Sequence, residues 1–149
     1  MKWPLTVGVF LAWPLLLLVT SAQAKDVTAQ VIKETDLDDQ IAAACKNHCR
    51  GNKRKGTLTR VTVVRSGADR FTVRADASLL NRHDPMHHVT AWSYTIDVQA
   101  YGTLDERTCD LRIDRINVRN DRLGLRSLAS GQEGKVHQIK NCRRFLSGL

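Results

Sequence analysis

Hydrophobic side chains recur at every second position through much of the middle of this chain. Phe71, Val73, Ala75, Ala77 and Leu79 alternate with Thr72, Arg74, Asp76 and Ser78. Trp92, Tyr94, Ile96, Val98 and Ala100 alternate in the same way with Ser93, Thr95, Asp97 and Gln99. A period of two sends successive side chains to opposite faces, so both stretches predict strands with one apolar and one wet face. Residues 57–65, rich in Thr and Val, predict another strand, joined to the Phe71 strand by the turn Ser66-Gly67-Ala68-Asp69. Cys109, Leu111 and Ile113 keep the alternation until it slips to Ile116 and Val118, which predicts a β-bulge near Asp114 and Arg115. Leu123-Gly124-Leu125 reads as one more short strand, and residues 25–34, with Val27, Val31 and Ile32, as an edge strand or ordered arm.

Two stretches carry a helical period instead. Thr35, followed three residues later by Asp38, has the pattern of a helix N-cap, and Leu37, Ile41, Ala44 with Cys45, and His48 fall on one face of the helix that follows. Asp36, Asp38 and Asp39 suit the positive end of its dipole, and Lys46, Arg50 and Gly51 mark its other end. Ser130-Gly131-Gln132-Glu133 is a second capping pattern, after which Val136, Ile139, Cys142, Phe145 and Leu146 recur at near-helical spacing. The expected fold is therefore α+β, with an N-terminal helix and a C-terminal helix packed on a four- to five-stranded antiparallel sheet. This order of elements resembles that of cystatin-like protease inhibitors. The resemblance is one of architecture: Thr62-Val63-Val64-Arg65-Ser66-Gly67 lacks the glutamine of that family's Q-x-V-x-G loop, and no later Pro-Trp loop follows, so no residue roles carry over.

The first residues belong to a different pattern. Lys2, an apolar run from residue 4 to 19 and the small-residue stretch Ser21-Ala22-Gln23-Ala24 predict a secretory signal over 1–24, with a single domain over 25–149. The apolar run is too short for a retained membrane span, so no transmembrane segment is expected in the mature chain. Export makes the periplasm or the extracellular space the expected location. It also makes two disulfides the expected state of Cys45, Cys49, Cys109 and Cys142. Cys45 and Cys49 are spaced to share a helix face, so each is expected to reach Cys109 or Cys142; the rival pairing joins Cys45 to Cys49 and Cys109 to Cys142. Zinc held by Cys45, His48 and Cys49 is disfavoured, because the paired ligand spacing of structural zinc sites is missing.

Charge narrows the functional classes. The chain has 23 Lys and Arg against 15 Asp and Glu. Lys2 is the one charge within 1–24, so the formal net charge of +8 falls only to +7 on signal removal. Arg50, Lys53, Arg54 and Lys55 follow the first helix and Arg143 and Arg144 lie on the last, which makes these six the candidate anion-binding residues. The expected function is a non-enzymatic binding protein whose basic face meets an anionic envelope component, a lipid headgroup or polysaccharide, or an acidic protein partner. Nucleic acid is the less expected anion, since the alternation places Phe71, Trp92 and Tyr94 on core faces and leaves Tyr101 as the exposed ring. No cofactor is implied.

Two other chemistries are worth placing. His83, Met86, His87 and His88 gather imidazole and thioether donors in one loop, the alternative being a metal-binding protein. A small hydrolase acting on phosphate esters would draw on His48, His137, Lys46 and Lys140 as acid, base and cations. No nucleophile elbow, P-loop or dinucleotide fingerprint is present to favour an enzyme.

Overall fold

A computed structural model describes residues 22–86, 90–147 and 149. The expected signal sequence therefore lies almost wholly outside the described residues, as do His87 and His88. Among the described residues the elements are β1 (Lys25–Asp26), α1 (Thr28–Glu34), α2 (Leu37–His48), β2 (Lys53–Arg65), β3 (Arg70–His83), β4 (Trp92–Asp105), β5 (Asp110–Arg119), α3 (Leu125–Ser130), β6 (Val136–Gln138) and α4 (Cys142–Leu146).

The alternating stretches form the predicted strands, paired antiparallel in one sheet whose spatial order is the sequence order, β1 to β6. Phe71 lies opposite Leu104, Ala75 opposite Ala100, Ala77 opposite Val98 and Leu79 opposite Ile96, so their apolar side chains share the inner face. The predicted bulge is present: Tyr101 pairs with Arg115 and Gly102 with Ile113, leaving Asp114 as the extra residue. A second irregularity between Leu58 and Arg60 interrupts the β2–β3 ladder. Bulges bend the strands that carry them; the one at Leu58 lies against the start of α2, where Asp38 accepts the Leu58 N–H.

The sheet has six strands rather than four or five. Residues 25–34 divide between a two-residue strand opposite Val63 and Thr62 and the helix α1, which places Val27 and Val31 in the core. The expected C-terminal helix over residues 130–146 does not form. Gly134 and Asn141 adopt positive φ, 79° and 57°, and each ends the segment before it. Between them the chain pairs along β5, with Gly134 N–H donating to Ile113 O at 2.7 Å and Ile113 N–H to Lys135 O at 2.9 Å. Edge backbone groups left by β5 thus draw residues 134–138 into the sheet, and only α4 remains helical. Leu123-Gly124-Leu125 is likewise the entry to a helix, because Asp121 accepts the N–H groups of Leu125 and Arg126 at 2.7 and 2.9 Å and Gly124 turns the chain at φ 73°.

Helix placement differs accordingly. α2 lies along β2, so closely that a Cβ on Gly56 would stand 2.5 Å from Ile41 O and 2.9 Å from Cys45 Cβ. α4 docks on α1, burying Phe145 and Leu146 with Val27 and Val31 in the main core, and a smaller core forms around Ile96, Val118 and Leu125 beneath α3. Thr35 is not the N-cap of α2. Its hydroxyl donates to Val31 O and accepts the N–H of Leu37, linking α1 to α2, while Asp36 takes the cap position.

Cys45 pairs with Cys49 and Cys109 with Cys142, which overturns the expected cross-ties between α2 and the later cysteines. Cys49 is the C-cap of α2, with extended backbone at φ −75° and ψ 157°; its N–H donates to Cys45 O at 2.7 Å and its Cα lies 4.8 Å from that of Cys45. The pair is thus formed across the last turn of α2 and its cap. Cys109, in the β4–β5 connection, then binds Cys142 at the start of α4.

Candidate functional site

The run from Arg50 to Lys55 is built into the fold by a buried amide. Asn81, with no exposed surface, accepts the Arg50 N–H at 2.7 Å through Oδ1 and donates to Leu79 O at 3.3 Å. Gly51, at φ 94°, brings the backbone against β3, where a Cβ would stand 2.1 Å from Arg82 O and 3.0 Å from the Trp92 ring. Lys53, Arg54 and Lys55 then open β2 opposite Arg82, Asn81 and Leu80. The basic stretch is strand rather than the end of a helix.

Charges at this end are unequally satisfied. Lys53 Nζ and Arg82 Nε bind Asp84 at 2.5 and 2.7 Å, and Asn52 holds the Asp84 backbone through two further bonds. The Lys53 ammonium first, then Arg82, keeps the Asp84 carboxyl below the usual range. Arg54 donates to Lys46 O at 2.8 Å, capping the C-terminal carbonyls of α2. Among the described residues the side chains of Arg50 and Lys55 have no such carboxylate or carbonyl partner.

Arg143 and Arg144 do not join this cluster. Arg144 pairs at 3.4 Å with Glu34 at the end of α1, while Arg143 donates to the carbonyls of Glu106 and Arg107, where β4 turns into β5. Strands of 13 and 14 residues separate that end from Lys53, a span of roughly 40 Å. The six candidate residues therefore do not converge on one patch: Arg143 lies at the far end of the sheet and Arg144 against α1.

At the Lys53 end the aromatic rings stack. The ring centroids of His83 and Trp92 are 5.8 Å apart and those of Trp92 and Tyr94 5.4 Å, while the Arg122 guanidinium lies 5.5 Å from the centre of the Tyr94 ring. Trp92, expected in the core, is 36% exposed. Tyr101 lies on the outer face between the guanidinium groups of Arg74 and Arg115. Of the candidate metal donors, His83 belongs to the stack, Met86 is exposed, and His87 and His88 lie outside the described residues.

Between α2 and the sheet runs an apolar groove that periodicity did not predict. Its larger part, about 320 Å³, lies toward the end of α2, where Ala44 and His48 face Leu79, Val98, Ile116 and Leu128. A second part of about 210 Å³ continues beneath the first turns of α2, past Gln40, Ile41 and Ile113 to His137. The two share Ala44, Ile116 and Gln132. His48 and His137, paired above as candidate acid and base, thus occupy different halves of one groove with aliphatic side chains between them. Lys140 pairs with Asp36 at 3.5 Å. The signal that could have exposed this space is small size rather than period: Ala44 on α2 and Ala129 on α3 stand on its walls among larger side chains.

Comparison with known proteins returns no matching family model, no matching curated protein and no matching solved structure.

Proposed function

We propose that this chain is an exported, non-enzymatic binding protein that recognises an anionic component of the cell envelope through the basic end of its sheet. One observation carries the proposal: Arg50 and Lys55 lack carboxylate partners among the described residues, at the end of the sheet that also carries Lys53, Arg54, Arg82 and the His83–Trp92–Tyr94 stack. Guanidinium groups give paired contacts to phosphate or carboxylate, and exposed rings add contact area beside them. Arg143 and Arg144 are engaged elsewhere, so the reading rests on the Arg50 to Lys55 set. Two disulfides support an oxidising location, the periplasm or the extracellular space.

The test is binding to vesicles rich in phosphatidylglycerol against vesicles of phosphatidylcholine, with a soluble acidic polysaccharide as a second anion. Affinity for the anionic partner falls steeply as salt rises, and Arg50→Gln with Lys55→Gln weakens it by about fivefold per charge removed. Affinity indifferent to both salt and these substitutions overturns the proposal. So does selective salt-sensitive capture of acidic protein with neither lipid nor polysaccharide bound.

A further inference from the structure

We infer that the groove between α2 and the sheet holds the hydrocarbon chain of a single-chain anionic amphiphile, whose charged head lies at the His48 end. This deepens the reading above and rests on it for the charge of the head, but not for the chain.

The groove runs under α2 from Gln40 to His48, about 12 Å along the helix axis. Its parts, about 320 and about 210 Å³, meet at Ala44, where the helix places a methyl group between larger neighbours. Gln40, His48, Gln132 and His137 are the polar residues on its walls. Such a surface suits an occupant that asks for few hydrogen bonds.

A peptide would ask for many, because each residue brings a donor and an acceptor that need partners away from water. The strand edge beside the groove has little to offer. Ile113 already exchanges bonds with residues 134 and 135, and Ile116 N–H donates to Glu133 Oε1 at 2.8 Å. A hydrocarbon chain needs none of these groups and gains from every methylene taken out of water.

Charge favours an anionic head at one end. His48 is followed by Arg50, and Leu79, on the groove wall, packs with Tyr94, over which Arg122 lies. The carboxylates there are occupied, Asp84 by Lys53 and Arg82, Asp121 by the backbone of α3. The C-terminus of α2 directs its negative dipole to the same place, but Arg54 binds the Lys46 carbonyl and offsets it.

The decisive experiment titrates the full-length mature protein with lysophosphatidylglycerols of increasing chain length below their micelle concentrations. Lysophosphatidylcholine and glycerol phosphate serve as controls, and Ala44→Phe and Ala129→Phe as groove-filling variants checked for fold by circular dichroism. The expected result is 1:1 binding that tightens about fourfold per added methylene until the groove is full. Both variants should weaken it at least tenfold while leaving salt-sensitive binding to anionic vesicles unchanged. Binding insensitive to chain length and to both variants overturns this inference and leaves the basic-end reading intact. Chain-length dependence with equal affinity for the zwitterionic head and no salt effect overturns the anionic head of this inference, while the vesicle titration decides the basic-end reading separately. A dimer that dissociates on Ala44→Phe, with no amphiphile bound, assigns the groove to a second copy and overturns the inference.

Discussion

The carboxylate of Asp38, in the first turn of α2, accepts the backbone N–H of Leu58 in β2 at 2.7 Å. A helix side chain thereby occupies a position on the strand edge that another strand would take. Thr28 does the same for the N–H of Val61 at 2.8 Å and Glu133 for that of Ile116, so both long edge strands have donors closed by side chains. Asp38→Ala leaves a partly buried donor unmatched beside a bulge and should lower stability by about 1.5 to 3 kcal/mol. Asp38→Asn keeps an acceptor and should cost less. Urea denaturation of the two variants measures the difference.

Gly56 sets how near α2 comes to the sheet. A Cβ there meets the Ile41 carbonyl and Cys45 Cβ, backbone and a disulfide-bonded residue, neither of which yields easily. Gly56→Ala should therefore cost about 1 to 3 kcal/mol by overpacking and, in displacing α2, alter amphiphile affinity in parallel. A stability unchanged in thermal denaturation would contradict the close approach.

The two disulfides close loops of very different length, with separations of 4 and 33 residues. On the chain-entropy account the double variant Cys109→Ala/Cys142→Ala should lose about 4 kcal/mol and Cys45→Ala/Cys49→Ala about 2 kcal/mol. Chemical denaturation without reductant tests the order. Equal losses would mean that packing of the buried sulfurs outweighs loop closure.

Acid should unfold the protein in a manner that depends on Asp121. The Arg126 N–H first, and then other backbone N–H groups of this turn, including that of Leu125, hold its carboxyl below the usual range. Asp105 is lowered likewise by the N–H groups of Arg107 and Thr108. A depressed native pKa means that the unfolded chain binds more protons over the interval below about 4, so this stability is present above that pH and disappears as pH falls through the native value. Urea midpoints from neutral pH downward should drop below about pH 4. Asp121→Asn should be less stable at neutrality and show a shallower drop.

How far the sequence disclosed this fold depended on whether one segment's pattern decided its structure. The alternation from Phe71 to Leu79 and from Trp92 to Ala100 left no other reading, and the phase slip before Ile116 marked the bulge at Asp114, since an extra residue shifts every later side chain to the other face. Residues 130–146 were misleading because Val136, Ile139 and Cys142 fit a helix locally, while the β5 edge that claims residues 134–138 lies more than twenty residues earlier. Arg50, Lys53, Arg54 and Lys55 were legible as a basic run. Their separation from Arg143 and Arg144 was not, because it follows from disulfide pairing and strand length together. The groove was illegible to a reading of apolar positions, since it exists where Ala44 fails to fill space.

Consecutive cysteines are partners here, first with second and third with fourth, and this has a temporal meaning. As the chain lengthens from its N-terminus, Cys49 is the first thiol that Cys45 can meet, so the correct bond is also the earliest one available. Once it closes, Cys109 has no competitor until Cys142 appears, after every strand of the sheet has been made. Oxidation in chain order therefore leaves no wrong bridge to undo.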